Sequence, residues 1–391
     1  MDRPRKFLAN PAVGLAVGVV TLLLAAGAAL PAEGLATTPG AAAANRAYEA
    51  ALVIMPSAGP GVGLSSAGMR ESSLGAFTIN LVPGTGLAGN SAALAAFGRA
   101  AAQWSRFISD PITVNIDADM RNLGSTTIIG QAESTMLMGD YTEVQNAMVA
   151  DADADDGILA FLPTLSQFNV HLPTGFGFNG NISATKGNFK ALGYTGLDEQ
   201  FGASDATITF NSGFAFDYDK SNGVSPGMVD FESVAAHEIG HALGFISNVD
   251  TIDEYESMKL TANLAIGTLD MFRFDNDGAD DPSTAAQFAT FPRYMLPGND
   301  DVFDDIAHEW RMSTGYYMGD GRQASHWKDD TLTGTFIGIM DPTIDYQQIW
   351  TVGMADLRAL DLIGYDIVPE PATLTILALG ALAMPRRRRK A

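Results

Sequence analysis

From Phe77 onward the chain carries its apolar residues in short, regular patterns. Phe77, Ile79 and Leu81 alternate with polar neighbours, the period-two signature of a half-buried strand. Leu94, Phe97, Ala101, Trp104 and Ile108 then recur at spacings of three and four behind Asn90-Ser91, which predicts a capped amphipathic helix. Asp110-Pro111 ends that helix. Ile112, Val114 and Ile116 predict a second strand, and the stretch 122–132 a third. Residues 150–204 read as loop-rich, with Asp151, Asp153, Asp155 and Asp156 ahead of Gly157. Ala206, Ile208 and Phe210 alternate again. A loop with Gly223 and Pro226 leads to Asp230, a cap for a helix over 231–243 that Gly244 stops. A long acidic, irregular stretch follows as far as His326, and a last helix covers 354–363 before Gly364. No internal repeat is visible. This order predicts an α+β fold, with a mixed sheet in an N-terminal lobe (76–244), an irregular C-terminal lobe (245–367), and the 231–243 helix flooring the cleft between them.

The two ends stand apart from this pattern. Arg3, Arg5 and Lys6 precede an apolar run from Ala12 to Leu30, and Gly34-Leu35-Ala36 offers a small-x-small cleavage site. That is the layout of a secretory signal peptide over residues 1–36. Residues 37–75, rich in Ala, Gly, Ser and Pro, read as a leader or short pro-segment. At the other end, Pro369-Glu370-Pro371 precedes about 13 apolar residues, short for a relaxed bilayer span, and then Arg386 to Arg389 and Lys390. This tail, 368–391, resembles the PEP-CTERM sorting signal of Gram-negative bacteria. The resemblance implies recognition and cutting by an exosortase-type enzyme, transient association with the inner membrane, and release to the cell surface, the extracellular matrix or the medium.

Charge narrows the function. The net charge is −22, and setting aside the cationic ends makes the body more acidic still. Such a body repels nucleic acid and anionic membrane. There is no cysteine, which excludes a cysteine nucleophile, a thiolate metal site and a cysteine-based latency switch.

The chemistry concentrates in His237-Glu238-Ile239-Gly240-His241-Ala242-Leu243-Gly244-Phe245. Residues four apart on a helix share a face, so His237 and His241 present two imidazoles to one point, as Zn²⁺ requires. Glu238 lies beside them, where a carboxylate can take a proton from a water whose pKa zinc lowers towards about 7. Five histidines in 391 residues make a chance match rare.

Two histidines leave the protein shell one ligand short. The extended motif of the metzincin peptidases would put a third histidine at 247, where this chain has Ser247. Downstream stand Ser325-His326-Trp327 and Ile339-Met340-Asp341-Pro342. An H-E-x-x-H-A-L-G-F helix, a long insertion, a His-Trp pair and then a methionine turn resemble the leishmanolysin branch of the metzincins. The resemblance implies a two-lobed zinc peptidase with one catalytic Zn²⁺, His326 as third ligand and Met340 in the Met-turn beneath it. Asp250 is the alternative third ligand, with Asp270 and His308 behind it; His171 has no partner in the pattern.

The implied activity is hydrolysis of protein or peptide substrates, with Glu238 as general base. The alternative is a non-catalytic, zinc-containing matrix or binding protein on a protease scaffold. Substrate would add as a strand to a sheet edge, and 206–211, just ahead of the active helix, is the strand expected there. Tyr346 is a candidate oxyanion stabiliser. Asp275, Asp277, Asp280 and Asp281 form an acidic turn that is a candidate Ca²⁺ site, although the spacing departs from an EF-hand.

Overall fold

The computed structural model describes the backbone of residues 16–24 and 53–54, together with residues 77–276, 278 and 280–368. Apart from those two short runs, the expected signal peptide and pro-segment lie outside the described residues. So does the sorting tail from Pro369 onward. Among the described residues, no helix is long and apolar enough to cross a membrane.

Nine strands form one mixed sheet: β1 (Ala16–Leu24), β2 (Val53–Ile54), β3 (Thr78–Pro83), β4 (Thr113–Arg121), β5 (Ile128–Asp140), β6 (Gly177–Thr185), β7 (Ala206–Asn211), β8 (Asn263–Gly267) and β9 (Thr343–Ile344). Its main path runs β8-β6-β5-β7-β4-β3. The strands β3, β4 and β7 are parallel, and β5 runs antiparallel to β7 and to β6. Alternation built these strands as expected: Val114, Ile116 and Ala118 of β4 are buried while their neighbours are not fully so.

The strand expected at the cleft edge is an interior one. Ala206–Asn211 is β7, paired with β4 on one side and β5 on the other. Even its polar residues Thr209 and Asn211 are buried, and the Asn211 amide donates to the carbonyls of Ser125 and Ile128. The side of β5 away from β7 is taken by β1. Residues 128–136 of β5 pair antiparallel with β1, and β1 in turn runs parallel to β9 at Leu23–Thr343 and Leu24–Ile344. Two further differences follow from weak local signals. The third strand begins at Ile128 and runs on to Asp140, and the Gly- and Asn-rich run Gly177–Thr185 is a strand although it reads as loop.

Four helices matter for the site: α1 (Ser91–Ser105), α2 (Phe231–Leu243), α3 (Val249–Ser257) and α4 (Met354–Leu362). Asn90 caps α1 by accepting from the Ala93 amide at 3.0 Å. Its inward face is rotated towards small residues, Ala93, Ala96 and Ala100, all fully buried. That lets α1 approach α2 closely enough for the Trp104 indole to donate to the Ala236 carbonyl at 2.8 Å. All thirteen residues of α2 are buried. Asp230 caps its start through the Ser233 amide, and Gly244, at φ +127°, ends it in a conformation that a side chain would resist.

Past α2 the chain forms α3, a small antiparallel sheet of 273–275, 301–304 and 309–311, and α4. Both β8 and β9 come from this half, so the central sheet draws strands from either side of Gly244.

Candidate metal centre

The α2 geometry puts His237 and His241 one turn apart, with their Nε2 atoms 3.0 Å from each other. His326 comes from a distant loop and brings its Nε2 to 3.3 Å from that of His237. All three side chains are fully buried. Each ring is fixed from behind. The Nδ1 of His237 lies 2.7 Å from the Ile339 carbonyl, that of His241 2.8 Å from the Phe245 carbonyl, and that of His326 3.0 Å from the Gln323 carbonyl.

A carbonyl can only accept, so each Nδ1 must carry the hydrogen. Each Nε2 then turns a bare lone pair into the shared centre. Three lone pairs converging in a buried space repel one another unless a cation lies between them. The spacing suits one: tetrahedral zinc with Zn–N near 2.0–2.1 Å would hold its nitrogens about 3.3–3.4 Å apart. Burial pushes the His237 imidazole down to about 4, against the raising effect of the bond to Ile339. It also holds His241 and His326 well below the usual imidazole range, reinforced by the neighbouring rings. Near neutral pH all three are therefore in the neutral, ligating form. The trio is one of two groups of described residues whose ligand atoms converge.

Glu238 follows His237 on α2 and is fully buried. Its carboxylate lies against β5 at Gly130, where an added β-carbon would stand 2.7 Å from Oε1. A side chain there would displace the Glu238 carboxylate. Met340 is fully buried under α2, and its sulfur and methyl occupy the space that a side chain at Gly240 would need. Tyr346 stands in the turn after β9, 47% exposed.

Several residues weighed as ligands prove to be supports. Asp250 accepts from the Ala324 amide at 2.5 Å and from the Ser325 amide at 3.0 Å, so it clamps the segment leading into His326. Ser247, where the extended motif has histidine, donates its hydroxyl to Asp270 at 2.6 Å, and its amide donates to the Ser325 hydroxyl. Asp270 also accepts from the amides of Asn248 and Gly267, so it too braces backbone. His308 stacks on Trp310 at 8° beside Asp305, and His171 lies against the Tyr294 ring.

Among the described residues the acidic turn is not drawn together. Asp275 accepts from the Asn299 amide and Asp280 from the Tyr294 hydroxyl, while Asp281 lies beside Asp304. Asp277 lies outside the described residues. The second convergent group is instead Asp329, Asp330 and Asp341, in which Asp329 is paired with Arg322. Crowding there and burial push the Asp341 carboxyl up to about 8, burial being the larger cause.

Two functional features escaped sequence reasoning. The approach of β5 at Gly130 to Glu238 had no signal beyond ordinary alternation. Asp356, discussed below, showed only as an acidic residue in the first turn of a helix. No protein-family model, curated protein or solved structure matches the chain, so the functional reading rests on its own residues.

Proposed function

We propose that the chain is an exported zinc endopeptidase of metzincin-like, two-lobed build, with His237, His241 and His326 as the ligands and Glu238 as the general base. The observation that carries this reading is the set of three buried imidazoles whose Nε2 lone pairs converge while their Nδ1 hydrogens are committed to backbone carbonyls. Three protein ligands leave the fourth tetrahedral position to water or substrate, the mark of a catalytic rather than a structural site. Bound there, zinc supplies Lewis acidity and lowers the pKa of a coordinated water towards about 7. Glu238 would serve as the general base, taking up a proton from the attacking water and giving one to the leaving nitrogen.

The substrate strand takes the place of β1 beside β5, antiparallel to β5 and parallel to β9. Support for this comes from β1, whose backbone already runs in that sense between the two and lies opposite Gly130 at Leu22. Main-chain pairing of this kind fixes the direction of a peptide and tolerates many side chains. The acidic body, the signal-like start and the sorting-like tail support export, with proteins outside the cell as substrates.

The test is Glu238→Gln, assayed for zinc content and casein cleavage. The variant is expected to keep its zinc and to lose cleavage by about 10²–10⁴-fold, the usual contribution of general acid–base catalysis. Cleavage unchanged from the parent protein would refute the mechanism.

A further inference from the structure

Asp356 lies in the first turn of α4, fully buried and remote in sequence from every ligand. Its carboxylate accepts four hydrogen bonds. Oδ1 takes the Trp327 indole N–H at 2.8 Å and the Met340 amide at 3.3 Å, and Oδ2 takes the Ile339 amide at 2.9 Å and the Gly353 amide at 2.8 Å. Four is close to the full capacity of a carboxylate, so the group is saturated by donors from three separate segments. Gly338 makes room for it, since a β-carbon there would stand 2.6 Å from Oδ2.

Two of those segments hold the metal ligands in place. The Ile339 carbonyl accepts from His237 Nδ1, which sets that ring's tautomer and tilt. The Met340 carbonyl accepts from the Trp327 amide at 3.0 Å, next to His326, and the Trp327 indole is bound to Asp356 directly. We infer that Asp356 is a positioning residue of the metal centre: one carboxylate locks the helix-borne His237 and the loop-borne His326 into a common frame. The inference rests on reading the three histidines as a metal site.

Asparagine keeps the shape but turns an NH₂ towards backbone donors, so Asp356→Asn should loosen the Ile339–Met340 turn or release Trp327. Outer support of this kind typically governs 10–100-fold in metal affinity. The experiment measures zinc affinity by chelator competition, together with the visible spectrum of the cobalt-substituted full chain. The control is Asp253→Asn, since Asp253 is a similarly buried carboxylate that clamps the Tyr317 and Met318 amides instead.

Asp356→Asn is expected to bind zinc about 10–100-fold more weakly and to show a shifted cobalt spectrum. Asp253→Asn should lose thermal stability while keeping both metal readouts. Wild-type affinity and spectrum in Asp356→Asn would overturn the assignment. If that variant does not fold, Trp327→Phe, which removes the indole donor and part of the ring while keeping an aromatic against Phe245 and Phe303, must show weaker binding and a spectral change; the parent values would overturn the assignment equally. Failure of the wild-type chain to take up zinc would refute the metal reading as well, whereas uptake with an unaltered Asp356→Asn refutes only the role of Asp356.

Discussion

Gly240 sits between the two histidines of α2, and replacing it with alanine tests the packing beneath the site. In a helix interior alanine is favoured over glycine by about 1 kcal/mol, so the backbone effect alone is stabilising. At Gly98 on the exposed face of α1, an added β-carbon meets nothing within 4 Å, and Gly98→Ala should show that full gain. At Gly240 the same carbon would stand 3.1 Å from both Met340 Cε and Trp104 Cζ2, and far inside contact distance of Met340 Sδ. Overpacking of a dense core costs about 1–3 kcal/mol, so Gly240→Ala should end up to about 2 kcal/mol less stable than the parent. The two alanine variants should differ by at least about 1 kcal/mol, or roughly 2–4 °C in Tm for each kcal/mol in a domain of this size. A displaced Met340 also shifts Ile339, whose carbonyl holds His237, so zinc affinity should fall with stability. The assay is thermal and urea unfolding of both metal-free variants, followed by chelator competition. Truncating Met340 in the Gly240→Ala background should cost less than it does alone, because there the truncation also relieves the clash. A Gly240→Ala protein as stable as Gly98→Ala, with zinc affinity intact, would refute the claim that Met340 supports the helix.

Two further outcomes follow. Asp341 has its carboxyl raised to about 8 in the folded protein against 3.8 as its ordinary value, so the folded state binds more protons than the unfolded one between those limits. Stability is therefore lost as pH rises through that window: relative to Asp341→Asn, the parent should weaken by up to about 1.4 kcal/mol per pH unit from pH 5 to 8. Denaturation curves at several pH values check this, and a flat or rising difference would contradict it. The register of β1 on β5 can be checked because the chain has no cysteine of its own. Val20→Cys with Ala132→Cys, a directly opposed pair, should oxidise to an intramolecular disulfide in the full chain, whereas Val17→Cys with Ala132→Cys should not.

The helix over 231–243 was legible to the residue because its determinants are local. Asp230 caps it, Gly244 ends it, and both histidines and the glutamate lie within five positions. The strands β3, β4 and β7 were legible for the same reason, but their order in the sheet was not. Alternation cannot distinguish an edge from an interior strand when buried polar residues such as Thr209 and Asn211 are satisfied by neighbours. The third histidine of the cluster was legible only through the His-Trp pair, since neither spacing nor charge favours His326 over Asp250 as the residue that joins His237 and His241. The buried aspartates were the least visible feature. In a chain this acidic an aspartate reads as a solvated charge, yet Asp270 and Asp356 are fully buried acceptors for backbone amides. Those amides belong to loops that no periodic pattern describes. The same preference for protein donors holds Asp275 and Asp280, each bound to a different side chain, apart from one another.

The central claim is the coordination sphere itself. X-ray absorption at the zinc edge, on full chain loaded with one equivalent of zinc, should show three imidazole nitrogens near 2.0–2.1 Å and one further light atom from solvent. In His326→Ala one imidazole should be missing. A protein that retains no zinc, or a His326→Ala variant whose imidazole count matches the parent's, would contradict the account.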